Sequence, residues 1–116
     1  WLHPALHITA MGSDAEEKQE LAAEVLQRAD RVVCDLKAQC LRLGELHHAV
    51  EARLIDAGSV VELGDITSGC QPGRTETEQI TVCDLTGVGV QDTVIARLAY
   101  RKALEQGYGV QIDSSQ

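Results

Sequence analysis

Phenylalanine is absent from this 116-residue chain, and aromatic residues make up only 3% of it. So thin a supply removes the stacking platforms that hold single-stranded nucleic acid. Positive charge is scarce as well: 10 lysines and arginines face 18 aspartates and glutamates, for a formal net charge of -8. Phosphate backbones are bound by basic stripes, so this balance argues against a general nucleic-acid binder. No apolar run approaches the roughly 20 residues of a membrane span. No charged stretch followed by an apolar one marks a secretory signal.

Cysteine is present without the spacings that give it a special role. Cys34, Cys40, Cys70 and Cys83 include no CxxC pair and match no zinc pattern. Cys34 and Cys83 sit in the apolar runs RVVCD and ITVCD, where a thiol behaves as a small hydrophobe. This usage suits a reducing cytoplasm, with no metal and no disulfide. No serine lies in a GxSxG elbow, which leaves Ser-His-Asp chemistry unsupported. His47 and His48 are neighbours, and adjacent helical residues point about 100° apart, so the pair is not read as a chelate. All four histidines read as structural or surface residues.

What is present is an ordinary globular balance, 44% apolar and 24% charged, with length for one domain at most. Short apolar runs alternate with helical stretches. Residues 6–11 (LHITAM), 31–34 (RVVC) and 80–83 (ITVC) read as strands, and 109–112 (GVQI) as a fourth, edge strand. Residues 21–29 read as a short helix. Residues 36–56 carry Leu36, Cys40, Leu43, Leu46, Val50 and Leu54 at helical steps, with Gly44 as a candidate break. Residues 59–68 read as a short helix or irregular turn, and 69–79 as a loop. Residues 90–106 read as a helix with Val94, Ile95, Leu98 and Ala99 on one side and Gly107 as its stop. Continuous apolar strands separated by helices give an α/β fold, a parallel sheet with flanking helices.

Ligands of such sheets bind at the carboxyl ends of the strands. Three turns therefore matter: Gly12-Ser13-Asp14, Asp35 onward, and Asp84-Leu85-Thr86-Gly87. In DLTGVGVQD, Gly87 and Gly89 open a GxGxxG pattern, but its third glycine falls on Asp92. That residue would oppose close packing and bound phosphate, so this is not the pyrophosphate loop. MGSDAEEKQEL supports two readings. One is a helix start capped by Ser13 or Asp14, with Lys18 as a solvated partner four residues on. The other is the rim of an active site, where Asp14 moves protons and Lys18 holds a ribose or phosphate. Local physics alone favours the cap.

The combination of HITAMGSDAEEKQEL, ADRVVCDLKAQCLRLGELHHAV and PGRTETEQITVCDLTGVGVQDTVIA, in that order, resembles the C-terminal half of the ornithine cyclodeaminase/μ-crystallin family. The resemblance covers nearly the whole chain and is nearest the branch linked to ectoine utilisation. It implies the C-terminal half of a Rossmann-like sheet. It also implies a cyclodeaminase or an amino-acid or imine oxidoreductase that uses NAD, with NADP open, at the α-carbon of an amino acid. The alternative is a non-catalytic dinucleotide- or ligand-binding module of the μ-crystallin type. The resemblance makes Asp14 the general acid/base. Met11, Gly12 and Ser13 match the backbone lining the nicotinamide, Lys18 and Leu85 match cofactor contacts, and Thr86 matches a substrate contact. Leu85 replaces a frequent serine, and Glu16-Glu17 replaces a frequent Pro-Gly.

The family's Gly-rich phosphate loop, its NAD/NADP-selecting residue and its substrate-carboxylate lysine and arginine would lie upstream of Trp1. The expectation is therefore that residues 1–116 form one partial Rossmann-like NAD(P)-binding segment of a longer enzyme. The remaining N-terminal part would complete it, the whole would be a homodimer, and the segment alone would be inactive. An open strand edge and exposed apolar surface should mark the missing neighbour.

Overall fold

The computed structural model describes residues 1–110 and 112. Four parallel strands form one sheet: β1 (His7–Ala10), β2 (Arg31–Cys34), β3 (Val61–Glu62) and β4 (Thr81–Asp84). The spatial order is β1-β4-β2-β3, so the last strand inserts between the first two. Ala10 pairs with Asp84, and Cys34 pairs with Asp84 from the other side. The carboxyl ends of β1, β4 and β2 thus end in one row, which brings their following turns to one rim.

The helices are α1 (Ala23–Gln27), α2 (Lys37–Cys40), α3 (Gly44–Glu51), α4 (Leu63–Thr67) and α5 (Gly89–Glu105). Alternation along the strands sorts the sheet into two faces. Val32, Cys34 and Val82 face the helices and pack with Leu26, Cys40, Leu46, Ala49 and Val60 in one buried cluster. The opposite face, with Arg31, Val33, Thr81 and Cys83, meets Leu63 and Ile66 of α4 across a cleft of about 500 Å³. The expectation of continuous apolar strands holds for β2 and β4, while β1 is an edge with His7 and Thr9 exposed.

Several expectations need correction. The stretch 59–68 holds a 3₁₀ turn (Ala57–Ser59), strand β3 and helix α4. A two-residue strand is too short to show any periodicity, and its pairing with Val33 and Cys34 defines it. The strand expected at 109–112 includes Gln111, which lies outside the described residues; Gly109, Val110 and Ile112 are not in a strand. No helix begins at Ser13 or Asp14, because residues 12–22 form an irregular loop before α1. Gly44 does break the helical stripe. Its φ of +76° turns the chain between α2 and α3, a conformation that glycine adopts without a Cβ penalty.

Helix α5 forms where expected but has no buried residue. Val90, Val94, Ile95, Tyr100 and Leu104 are all exposed along it. The helix stands off the sheet, and the radius of gyration is 18.1 Å, whereas a compact chain of this length has about 13 Å. Among the described residues no helix is long and apolar enough to cross a membrane.

Candidate functional site

The rim at the strand ends is built from two turns and a helix. After β1 the chain passes through Met11, Gly12, Ser13 and Asp14. After β4 it passes through Leu85, Thr86 and Gly87, and Leu85 N–H donates to the Ala10 carbonyl at 2.8 Å. The structure therefore brings Met11–Asp14 beside Leu85–Thr86 on neighbouring strands. Met11 is 72% exposed, Asp14 is exposed, and Ser13 is buried.

Lys18 reaches back over the turn and its ammonium pairs with Asp14 Oδ1. The pairing expected on a helix thus occurs across a loop. The Lys18 hydrogen bond, then its charge, holds the Asp14 carboxyl below the usual carboxylate range. Lys18 thus stabilises the charged form of Asp14. Removing the ammonium removes the cause of the lowering. Lys18→Met is therefore expected to raise the titration midpoint of the Asp14 carboxyl, read by NMR without cofactor, and an unmoved midpoint would show that Lys18 does not set it.

Gly12 has no side chain, and the Glu20 carboxyl stands over it where a Cβ would collide with it. That neighbour is the far end of an exposed, flexible side chain, so the space above Gly12 can be vacated without disturbing the fold. The absent Cβ, together with the exposed Met11 beside it, fits a flat ring laid against this turn.

Thr86 is buried, and its hydroxyl is engaged inside the protein. Oγ1 accepts from Gln39 Nε2 at 3.0 Å and donates to Asp35 Oδ1 at 3.1 Å. Asp35 also accepts from Leu36 N–H (2.8 Å), Gly87 N–H (2.8 Å) and the Cys40 thiol (3.1 Å). Burial acts to raise the Asp35 carboxyl, but these donors outweigh it and hold it below the usual range. The end of β2 thus ties down the turn after β4.

Two further carboxylates, Glu45 and Asp84, shape the rim, and spacing in the sequence gave no sign of either role. Asp84 is 1% exposed and accepts from Leu46 N–H at 2.8 Å, capping α3 from a strand 38 residues away in sequence. Burial pushes its carboxyl up, and the nearby Glu45 and Asp35 add to this against the N–H groups it accepts. Glu45 is also 1% exposed and accepts from Ser13 Oγ (2.5 Å), Glu20 N–H (2.8 Å) and Leu21 N–H (3.0 Å). The one local signal for Glu45 was its place in the Gly-Glu-Leu stretch.

The histidine geometry needs a correction. His47 and His48 do not splay apart: their ring centroids are 3.7 Å apart, and ligand atoms of His47, His48 and Glu51 lie within 4.8 Å of one another. Side-chain torsions bring together rings whose Cα–Cβ bonds diverge. Both rings also make structural bonds, His47 Nδ1 to the Gly44 carbonyl (3.0 Å) and His48 Nε2 to the Lys18 carbonyl (2.8 Å).

A parallel α/β half-sheet with a glycine-faced turn, a carboxylate and an ammonium at its carboxyl rim defines a Rossmann-like segment. The ornithine cyclodeaminase/mu-crystallin family model matches residues 1–107. The chain belongs to that family. It is 50% identical over 115 residues to an uncharacterised cyclodeaminase of Sinorhizobium fredii, covering 98% of this chain and 35% of that protein. Among solved structures, an archaeal alanine dehydrogenase dimer with bound NAD superposes with a TM-score of 0.85 at 35% identity, covering 98% of this chain and 36% of that one. The Thermococcus litoralis Δ1-pyrroline-2-carboxylate reductase, in complex with NADH and L-proline, gives a TM-score of 0.87 at 30% identity, covering 97% and 35%. The chain thus spans about a third of the length of the relatives it matches.

Proposed function

We propose that residues 1–116 form the nicotinamide-side segment of an NAD(P)-dependent enzyme acting at the α-carbon of an amino acid or its imine. The observation that carries this reading is the rim itself. Met11–Asp14 and Leu85–Thr86 follow paired strand ends, with Ala10 opposite Asp84, and the exposed Asp14 carboxylate stands at the mouth. Family membership and the NAD-bound relatives of like fold support it.

The dinucleotide supplies hydride acceptance and return. The backbone of Met11, Gly12 and Ser13 would line its nicotinamide end, with a backbone contact from Leu85. Lys18 would hold a ribose or phosphate oxygen, and Asp14 would hold or move a proton at the reacting carbon of the substrate or its nitrogen. Thr86 borders the substrate side, where its bonds to Asp35 and Gln39 keep that wall fixed. The phosphate loop and the residues that grip the substrate carboxylate belong to an N-terminal part of a longer polypeptide. That part, or the second copy of a homodimer, covers the exposed face of α5. The cysteine spacings, which include no CxxC pair, suit a cytoplasmic location.

Gly12→Ala isolates the cofactor role. Glu20 can swing away, so stability should hardly change, but the new methyl stands where the ring must lie. The expected result is a loss of NADH affinity of about tenfold or more, equal to ~1.4 kcal/mol. Unchanged affinity on titration of NADH fluorescence would remove the ring from this turn. The reading as a whole is tested by following NADH oxidation by the full-length polypeptide with Δ1-pyrroline-2-carboxylate, or with pyruvate plus ammonium, and proline formation from L-ornithine. Turnover with one of these is expected. Binding of NADH without turnover on any of them would leave a binding module instead.

A further inference from the structure

Glu45 stands outside every role assigned so far, yet it is among the most buried charged side chains of the chain. An acidic residue in the first turn of a helix ordinarily faces water and complements the dipole. Glu45 turns inward, where a carboxylate is costly unless several donors satisfy it. All of its donors come from the loop between β1 and α1. Ser13 Oγ and Glu20 N–H reach Oε1, and Leu21 N–H reaches Oε2. One carboxylate therefore grips both ends of the loop that carries Asp14 and Lys18. The helix bearing it is itself fixed from β4, because Asp84 caps it at Leu46.

We propose that Glu45 is a positioning residue: by clamping Ser13, Glu20 and Leu21 to α3, it sets where the Gly12–Asp14 turn stands relative to Leu85–Thr86. This rests on the cofactor reading above. The loop has no regular structure of its own to hold it, and its internal backbone bonds, Asp14 N–H to Gly12 (3.1 Å) and Lys18 N–H to Ala15 (3.1 Å), are local. His48, one turn along α3, adds a bond to the Lys18 carbonyl. Through Asp84 and Glu45, α3 links the two turns that the reaction must keep in register, and errors of an ångström there are costly.

The test uses the full-length polypeptide with Glu45→Gln, Ser13→Ala, the double variant and Asp14→Asn. NADH affinity is read by fluorescence titration, and folding by thermal unfolding. Glu45→Gln places an amide NH₂ against a backbone N–H, and Ser13→Ala removes one donor while keeping the backbone. Each is expected to weaken NADH binding about tenfold, with cooperative unfolding retained. The double variant should lose no more than the worse single, as expected of one shared interaction. A merely structural role would lower the unfolding temperature and leave affinity alone; that pattern overturns the inference. If Glu45→Gln does not fold, Ser13→Ala decides: a tenfold loss supports the clamp, and wild-type affinity overturns it. If the wild-type polypeptide binds no NADH, the cofactor reading falls and the clamp with it. If the wild type and Asp14→Asn bind alike while the clamp variants also bind normally, only the clamp falls.

Discussion

Asp14→Asn in the full-length polypeptide is expected to lower kcat by about 10²–10⁴-fold, the usual contribution of a positioned general acid/base. The NADH dissociation constant should stay within about threefold, because the change removes proton transfer and not the turn that lines the ring. Asn keeps the size of the side chain and loses only its ability to take up a proton. The exposed position of Asp14 makes this a safe substitution for the fold. The pair with Lys18 is a surface pair, so its loss carries little stability. A kcat near wild type would show that the carboxylate is no more than a partner for Lys18. The outcome would then return MGSDAEEK to a loop that merely resembles a site.

Gly44→Ala is expected to have the largest effect on folding. Two penalties combine there. The residue sits at φ +76°, where an L side chain costs about 1–2 kcal/mol. Its Cβ would also stand 2.6 Å from Asp84 Oδ2 and 2.8 Å from the Thr86 methyl, groups that are buried and cannot retreat into solvent. Displacing Asp84 strands a buried carboxylate and uncaps α3, at a further cost of about 1–3 kcal/mol. A total near 2–5 kcal/mol should appear as a large drop in denaturation midpoint in urea. Because α3 also carries Glu45 and His48, NADH affinity should fall with it. A midpoint within experimental error of wild type would show that Asp84 does not hold α3 as described. Gly12→Ala is the useful contrast, since there the obstructing group is a mobile side chain and stability should be spared.

How much of this was legible beforehand follows from sequence distance. The β-branched runs RVVC and ITVC announce β2 and β4 because their neighbours on the sheet are generically apolar. Helix α5 shows its period over 17 residues, and the break at Gly44 shows as a glycine inside a stripe. The strand order did not show. The sequence contains nothing local that sends β4 between β1 and β2. Strand β3 was missed because two residues have no period. The resemblance, not the pattern, raised Asp14 and Lys18 above a helix cap, and the structure explains why the cap reading failed. Ser13 gives its hydroxyl to Glu45, 32 residues away, so the loop is held from outside. Asp84 and Leu46 are separated by 38 residues, and Asp35 and Gly87 by 52. Such pairs are invisible to any window along the chain. The rim was legible as a place, while the clamps that shape it were not.

The nicotinamide end of a dinucleotide is expected on the turn after β1. The measurement that tests it most directly is a crystal structure of the full-length polypeptide with NADH. The ring is expected in van der Waals contact, about 4 Å, with the backbone of Met11 to Ser13. Lys18 is expected drawn from Asp14 toward the cofactor. A dinucleotide seated elsewhere on the sheet, with Gly12 still covered by Glu20, would contradict it.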